Sequence, residues 1–153
     1  MKIVNKKALH NYHILENIES GIVLSGSEVK SIKSGHIELS GAYVKILGTE
    51  AFLVNALIPE YQPGSSERSS STNKEYDPQR SRKLLLHRSQ INSLIGKNAQ
   101  KGMNLIPVSI YEKNNRLKLE IGIGRPKKEF DKRDVIKKRD QIRRIEQELR
   151  GKE

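Results

Sequence analysis

Apolar and polar residues alternate in short blocks through most of this chain, and sustained helical spacing takes over only near its far end. Residues 12–18, with Tyr12, Ile14 and Ile18, and the run Ile22-Val23-Leu24 are β-prone stretches on either side of Ser20-Gly21, which predicts a turn there. Residues 42–47 and 51–57 flank Gly48-Thr49-Glu50 and predict a hairpin. A second hairpin is predicted from 105–111 and 116–122, on either side of Glu112-Lys113-Asn114-Asn115. In its second arm Leu117, Leu119 and Ile121 alternate with polar residues, as in a strand with one buried face.

Two helices interrupt the strands. Ser27-Glu28-Val29-Lys30-Ser31-Ile32-Lys33-Ser34-Gly35 has a Ser start, Val29 and Ile32 three apart, and a Gly stop. A longer helix is predicted within 81–102, where Leu84 and Leu85 are followed by Ile91, Leu94 and Ile95. The polar, Ser-rich stretch 62–73 reads as a loop by composition, with no function assigned to it. Several short strands without regular βαβ alternation predict a mainly-β fold with peripheral helices, built as a small closed antiparallel β-barrel.

The last segment differs in kind. Residues 131–149 read as a helix with Asp131 as N-cap, Asp134 at the third helical position and Gly151 as a stop. Val135, Ile142, Ile145 and Leu149 form its only apolar stripe, which is too narrow to hold a mostly charged helix on a body. Helices near this length are marginal alone in water. The tail is therefore expected to be disordered when free and to fold against a partner. The chain divides into a body, 1–124, and a basic tail, 125–153.

Charge sharpens that division. The chain's 153 residues carry 29 Lys and Arg against 18 Asp and Glu, a formal net charge of +11. Residues 125–153 hold twelve basic and seven acidic side chains, a charge density several-fold above that of the body. That distribution points to a polyanion, with nucleic acid the first candidate. The absence of cysteine excludes disulfides, thiolate zinc sites, iron–sulfur clusters and cysteine catalysis. No run of about 18 apolar residues exists, and the N-terminal residues lack the apolar stretch of a signal peptide, so the expected address is the cytoplasm, with no membrane association.

Catalytic patterns are missing. His10 and His13 would point to opposite faces of a strand, so they read as packing or surface residues, not metal ligands. Gly122-Ile123-Gly124-Arg125 begins like a dinucleotide loop, but Pro126 and Lys127 follow and no third glycine completes it. No phosphate-binding Walker loop, nucleophile elbow or zinc-protease motif occurs, and the scattered carboxylates identify no acid–base pair. Phe130, among Arg125, Lys127, Lys128, Lys132 and Arg133, fits an RNA site in which a base stacks on the ring while cations hold phosphates. The alternative is that Phe130 seals the end of the barrel and the charges are solvated.

Five motifs in register carry a resemblance over about residues 3–144. They are Asn5-Lys6-Lys7-Ala8-Leu9-His10-Asn11-Tyr12, then Glu19-Ser20-Gly21-Ile22, then Gly26-Ser27-Glu28-Val29-Lys30-Ser31. Tyr76-Asp77-Pro78-Gln79-Arg80-Ser81-Arg82-Lys83-Leu84-Leu85-Leu86-His87 and Lys127-Lys128-Glu129-Phe130-Asp131-Lys132-Arg133 complete the set. In that order the chain resembles the SsrA-binding protein (SmpB) family, the bacterial partners of transfer-messenger RNA. The resemblance implies an oligonucleotide-binding-like barrel that binds the tRNA-like domain of this RNA. It implies delivery of the RNA to stalled ribosomes for trans-translation, with the tail turning helical in the vacant mRNA path of the small subunit. It implies no catalysis and no cofactor or metal, a monomer, and contact with elongation factor Tu and alanyl-tRNA synthetase through the RNA.

By the same resemblance, Asn5, Glu19 and Leu85 match positions tied to binding transfer-messenger RNA. A turn or strand-end role for Asn5, and a solvated hairpin turn for Glu19, are the local alternatives. Leu85 is expected to shape the RNA surface by packing. Glu28 and Lys30 are expected to shape the same face, the alternative being an exposed helical ion pair. Lys127, Lys128, Phe130, Asp131, Lys132 and Arg133 match the tail segment acting in the decoding centre. The chain departs from the family pattern at Pro126, where Gly is frequent, and at Phe130, where Tyr or His is common. By the same resemblance, the basic N-terminal extension of many relatives is not expected here.

Overall fold

The computed structural model of the chain describes residues 1–61, 75–127, 142–145 and 147. The Ser-rich stretch 62–73 and, in the tail, Lys128, Phe130, Asp131, Lys132 and Arg133 lie outside the described residues, as does the expectation of a tail disordered when free. Residues 142–145 and 147 are helical, inside the stretch whose spacing predicts a helix.

Up to Lys127 the described residues form β1 (Lys2–Val4), α1 (Lys6–Asn11), β2 (Tyr12–Ile22), α2 (Gly26–Lys33), β3 (Tyr43–Leu47), β4 (Glu50–Val54), β5 (Arg82–Leu85), α3 (Arg88–Asn98), β6 (Asn104–Lys113) and β7 (Arg116–Pro126). The strands form one seven-stranded sheet in the order β1-β6-β7-β2-β5-β4-β3, and every pairing is antiparallel. Its inner face carries Leu53, Leu84, Ile110, Leu119, Ile121 and Ile123, closed over by Ile32 of α2, Leu94 of α3 and Ile58.

The sheet does not close by hydrogen-bonded ladders among the described residues. β1 and β3 stand at the ends of the strand order, so the expected closed barrel is a curled, open sheet at the level of strand pairing. Asn5 bridges the gap: its Nδ2 donates to Leu39 O, just before β3, at 3.2 Å and to Pro107 O, on β6, at 2.8 Å. β6 carries Pro107 at a register shift between Pro107 and Ser109, the kind of irregular position at which a strand tolerates a residue without an N–H.

Both predicted hairpins form. β3 and β4 pair from Leu47↔Glu50 around Gly48-Thr49, and β6 and β7 pair from Lys113↔Arg116. The latter turn is Asn114-Asn115, with φ of 53° and 63°, a left-handed pair that asparagine tolerates and that suits a two-residue hairpin. The helix predicted from Ser27 has its cap two residues earlier: Ser25 caps it, accepting from Glu28 N–H while Glu28 reaches back to the Ser25 N–H.

Two expectations are corrected. No turn occurs at Ser20-Gly21; β2 runs straight through, because Ser20 and Gly21 pair with Leu119 and Lys118 on one side while Gly21 and Ile22 pair with Leu85 and Leu84 on the other. Leu84 and Leu85 are not helical but belong to β5, where a buried Arg82 and Leu84 alternate with an exposed Lys83 and Leu85. Helix α3 starts only at Arg88. β7 runs to Pro126, two residues past the expected end of the body, and the Lys127 N–H donates to Asn11 O at 2.7 Å.

Candidate nucleic-acid interface

The β2–β5 ladder pairs Gly21 with Leu85, and this single register position brings two of the sequence's RNA candidates to one place. Ser20 turns inward, its hydroxyl donating to Leu119 O, so Glu19 turns outward. Leu85 is 55% exposed, a large apolar side chain left on the surface. Gly21 makes room for it: a Cβ there would sit 3.0 Å from Leu85 Cβ. Glu19, Lys83, Leu85, His87, Gln90 and Lys118 line a surface cleft of about 640 Å³. An exposed leucine flanked by cations, a carboxylate and an amide offers a base an apolar face, hydrogen-bond partners and phosphate charge together.

Glu19 is held in place. Tyr111, from β6, donates its hydroxyl to Glu19 Oε2 at 2.5 Å, and Lys113 Nζ approaches the same oxygen at 3.4 Å. The Tyr111 hydrogen bond, with Lys113 and Lys118 adding to it, keeps the Glu19 carboxyl below the usual carboxylate range. Partial burial and the bond to Glu19 push the Tyr111 phenol up to about 12. Opposite Glu19 on β7, Glu120 accepts from the Ser109 hydroxyl at 2.7 Å.

Asn5 is elsewhere and fully occupied. It is 5% exposed, its Oδ1 caps α1 by accepting from Ala8 N–H at 3.2 Å, and its amide makes the two carbonyl bonds across the sheet gap. The strand-end alternative therefore describes its local role. Beside it, Lys7, Asn11, Tyr12, Tyr43, Asn98 and Asn104 line a second cleft, of about 650 Å³, between β3 and β6.

Glu28 is not half of an exposed helical ion pair. Its side chain is 0% exposed and lies between Arg80 and Arg82, with Arg82 Nε and Nη2 both 2.7 Å from Oε2. Burial alone would raise its carboxyl. The bonds from Ser25 N–H, Arg80 and Arg82 outweigh that and hold it below the usual range. Arg82, itself fully buried, also donates to Ala56 O at 2.6 Å and to Pro78 O at 2.9 Å, tying α2, β5 and the segment after β4 together. Lys30 is exposed, with its Nζ 5.9 Å from the Tyr61 ring centroid, and does not line the Glu19 cleft. Lys127 Nζ reaches Leu9 O at 3.4 Å, so the tail leaves beside α1.

The structure thus joins Glu19 with Leu85 and separates both from Asn5 and from Glu28 and Lys30. Sequence reasoning missed Tyr111, Lys113 and Arg82. A strand register across β6, β7 and β2 leaves no local signal for the first two. The spacing of Arg80, Arg82 and Leu84 at every second position was the signal for the third. Among the described residues no group of three or more His, Asp or Glu side chains could hold a metal, and no helix is long and apolar enough to cross a membrane. Gly122 and Gly124 are close-contact positions in β7: a Cβ on Gly124 would lie 2.2 Å from His13 O, and one on Gly122 2.5 Å from Val108 Cγ2.

Comparison with known proteins places this geometry. The family model described as SmpB protein matches residues 2–151. An SsrA-binding protein of Alkaliphilus oremlandii is 49% identical over 149 residues, 97% of this chain and 92% of the relative. That of Acetivibrio thermocellus is 47% identical over 95% of this chain and 90% of its own, and that of Persephonella marina 44% over 97% and 93%. A solved structure described as "tmRNA-SmpB: a journey to the center of the bacterial ribosome" superposes with a TM-score of 0.67 at 38% identity, over 84% of this chain and 85% of that one.

Proposed function

The chain belongs to the SmpB family, and on that premise we propose that it is an RNA-binding adaptor of ribosome rescue. It binds the tRNA-like domain of transfer-messenger RNA and delivers that RNA to stalled ribosomes for trans-translation. The reading is carried by the cleft that joins Glu19 and Leu85 across the β2–β5 ladder.

Within it, Glu19 and Leu85 meet the RNA directly. Asn5 and Glu28 contribute by holding α1 and α2 against the sheet, since their polar atoms are already engaged by protein groups. Lys30, exposed at the end of α2, supplies charge toward phosphate. The tail residues Lys127, Lys128, Phe130, Asp131, Lys132 and Arg133 act at the decoding centre of the small subunit, with 125–153 entering the vacant mRNA path as a helix. The seven strands are read as an oligonucleotide-binding-like barrel whose β3–β6 seam is bridged by Asn5 in place of a ladder. The adaptor performs no chemistry, acts in the cytoplasm as a monomer, and meets elongation factor Tu and alanyl-tRNA synthetase through its RNA.

A gel-shift titration of transfer-messenger RNA against ordinary tRNA tests this directly. The expected result is selective binding of transfer-messenger RNA, and tagging of peptides on stalled ribosomes when both are supplied. Equal binding of any single strand or tRNA would reduce the protein to a general RNA-binding module.

A further inference from the structure

A carboxylate is an odd group to find in a cleft that must accept a polyanion. Glu19 repels phosphate, yet two donors from another strand are spent on fixing it. Both donors bind one oxygen: Tyr111 Oη and Lys113 Nζ converge on Oε2, and no hydrogen bond among the described residues engages Oε1. The contact spans three strands, from β6 over β7 to β2, so it is set by the rigid sheet and not by a loop.

We propose, resting on the RNA-binding role of the Glu19 cleft, that Tyr111 and Lys113 are positioning residues that hold Oε2 so that Oε1 accepts a hydrogen bond from an N–H on the edge of an unpaired base. An ionised carboxylate accepts only, so it selects N–H groups and rejects carbonyl edges and phosphates. Leu85 beside it supplies the apolar surface on which that base rests, and Lys118 lines the same cleft to offset the repulsion of the flanking phosphates, Lys83 being paired there with Glu50 at 3.4 Å. A neutral phenol suits this task better than a second cation. It fixes the carboxylate without cancelling the charge that makes Oε1 a strong acceptor. With its proton held to about pH 12, the Tyr111 hydroxyl remains a donor at every working pH.

A double-mutant cycle on the full chain with transfer-messenger RNA is the test, read as dissociation constants at several salt concentrations alongside melting temperature. Tyr111→Phe is expected to weaken binding about fivefold to tenfold, about 1–1.4 kcal/mol, and to change it less than about twofold once Glu19→Ala is present, since contacting groups couple. The salt slope should not move in either variant, because neither side chain neutralises phosphate. Tyr111→Phe binding as wild type does, or costing the same with and without Glu19, overturns the positioning role while leaving the adaptor reading intact. A wild-type chain with no preference for transfer-messenger RNA would instead strike the adaptor reading itself. A Tyr111→Phe variant whose loss tracks a lower melting temperature would make the tyrosine a packing residue.

Discussion

Arg82→Met should be among the most destabilising conservative-volume changes in this protein. The guanidinium is fully buried and makes bonds to three separate groups: Glu28 Oε2, Ala56 O and Pro78 O. Methionine fills much of the space but donates nothing, so the buried Ala56 carbonyl and Glu28 Oε2 lose their partner, while Pro78 O keeps the Ile58 N–H. Breaking a buried ion pair by removing one member costs about 3–5 kcal/mol, against roughly 5–15 kcal/mol of total stability for a domain. For a chain of this size that corresponds to a fall in Tm of roughly 6–20 °C. Glu28 keeps Ser25 N–H and Arg80, which prevents a larger loss.

The same network fixes the pH dependence. The folded-state carboxyl of Glu28 lies below its unfolded value of about 4.3, so its contribution is present above that pH and disappears as pH falls through the folded value. Arg82→Met removes part of the depression, so the gap between variant and wild type should narrow on acidification below about pH 4. Urea unfolding of both proteins between pH 7 and pH 3 measures this. A loss under about 1 kcal/mol at pH 7, or a gap that stays constant into acid, would refute the claim that a buried charge pair organises this corner of the fold.

Asn5→Ala removes a helix cap and both amide bonds across the seam, taking the Asn5 donor from Pro107 O while Leu39 O keeps the Ala42 N–H; a loss of about 2–4 kcal/mol is expected, and an unchanged denaturation midpoint would deny the seam its importance. Gly124→Ala drives a methyl into His13 O, so the β2–β7 ladder must shift; about 1–3 kcal/mol of destabilisation should appear in thermal melts, whereas Gly26→Ala, with open space around it, should be within about 0.5–1 kcal/mol of wild type. Truncation after Lys127 keeps β7 and its bond to Asn11 O, so RNA affinity should stay within about tenfold, roughly 1.4 kcal/mol, while tagging on stalled ribosomes is abolished; tagging that survives would move the ribosomal role into the body. Binding of transfer-messenger RNA to the full chain should weaken log-linearly with salt, and a flat response would mean that few phosphates are contacted.

Local patterns carried the reading wherever the deciding interaction lies within a few residues. The hairpin at Gly48-Thr49, the Asn114-Asn115 turn region and the alternation of Leu117, Leu119 and Ile121 are all set by adjacent residues, and all three formed. So did the helix containing Val29 and Ile32, displaced by a few residues because its cap, Ser25, is chosen by a reciprocal bond with Glu28. The five motifs in register were sufficient for the family, since each records a requirement of the whole protein in the order of the chain.

Where a residue answers to two neighbours from distant segments, sequence alone read it wrongly or not at all. Ser20-Gly21 has the composition of a turn but is a strand centre, because β5 and β7 claim its two edges. Leu84 and Leu85 look helical beside Ile91 and Leu94, yet a ladder with β4 and β2 makes them strand, one buried and one exposed. Glu28 and Lys30 share a motif, but folding buries the first between two arginines more than fifty residues away and leaves the second on the surface. Charge, length, missing cysteine and the order of motifs were sequence properties, sufficient for a mainly-β RNA-binding protein of this family. The meeting of Glu19 with Leu85 in one cleft, and of Glu19 with Tyr111, exists only once β6, β7, β2 and β5 lie side by side, because strand register is a long-range choice that no local stretch of chain encodes.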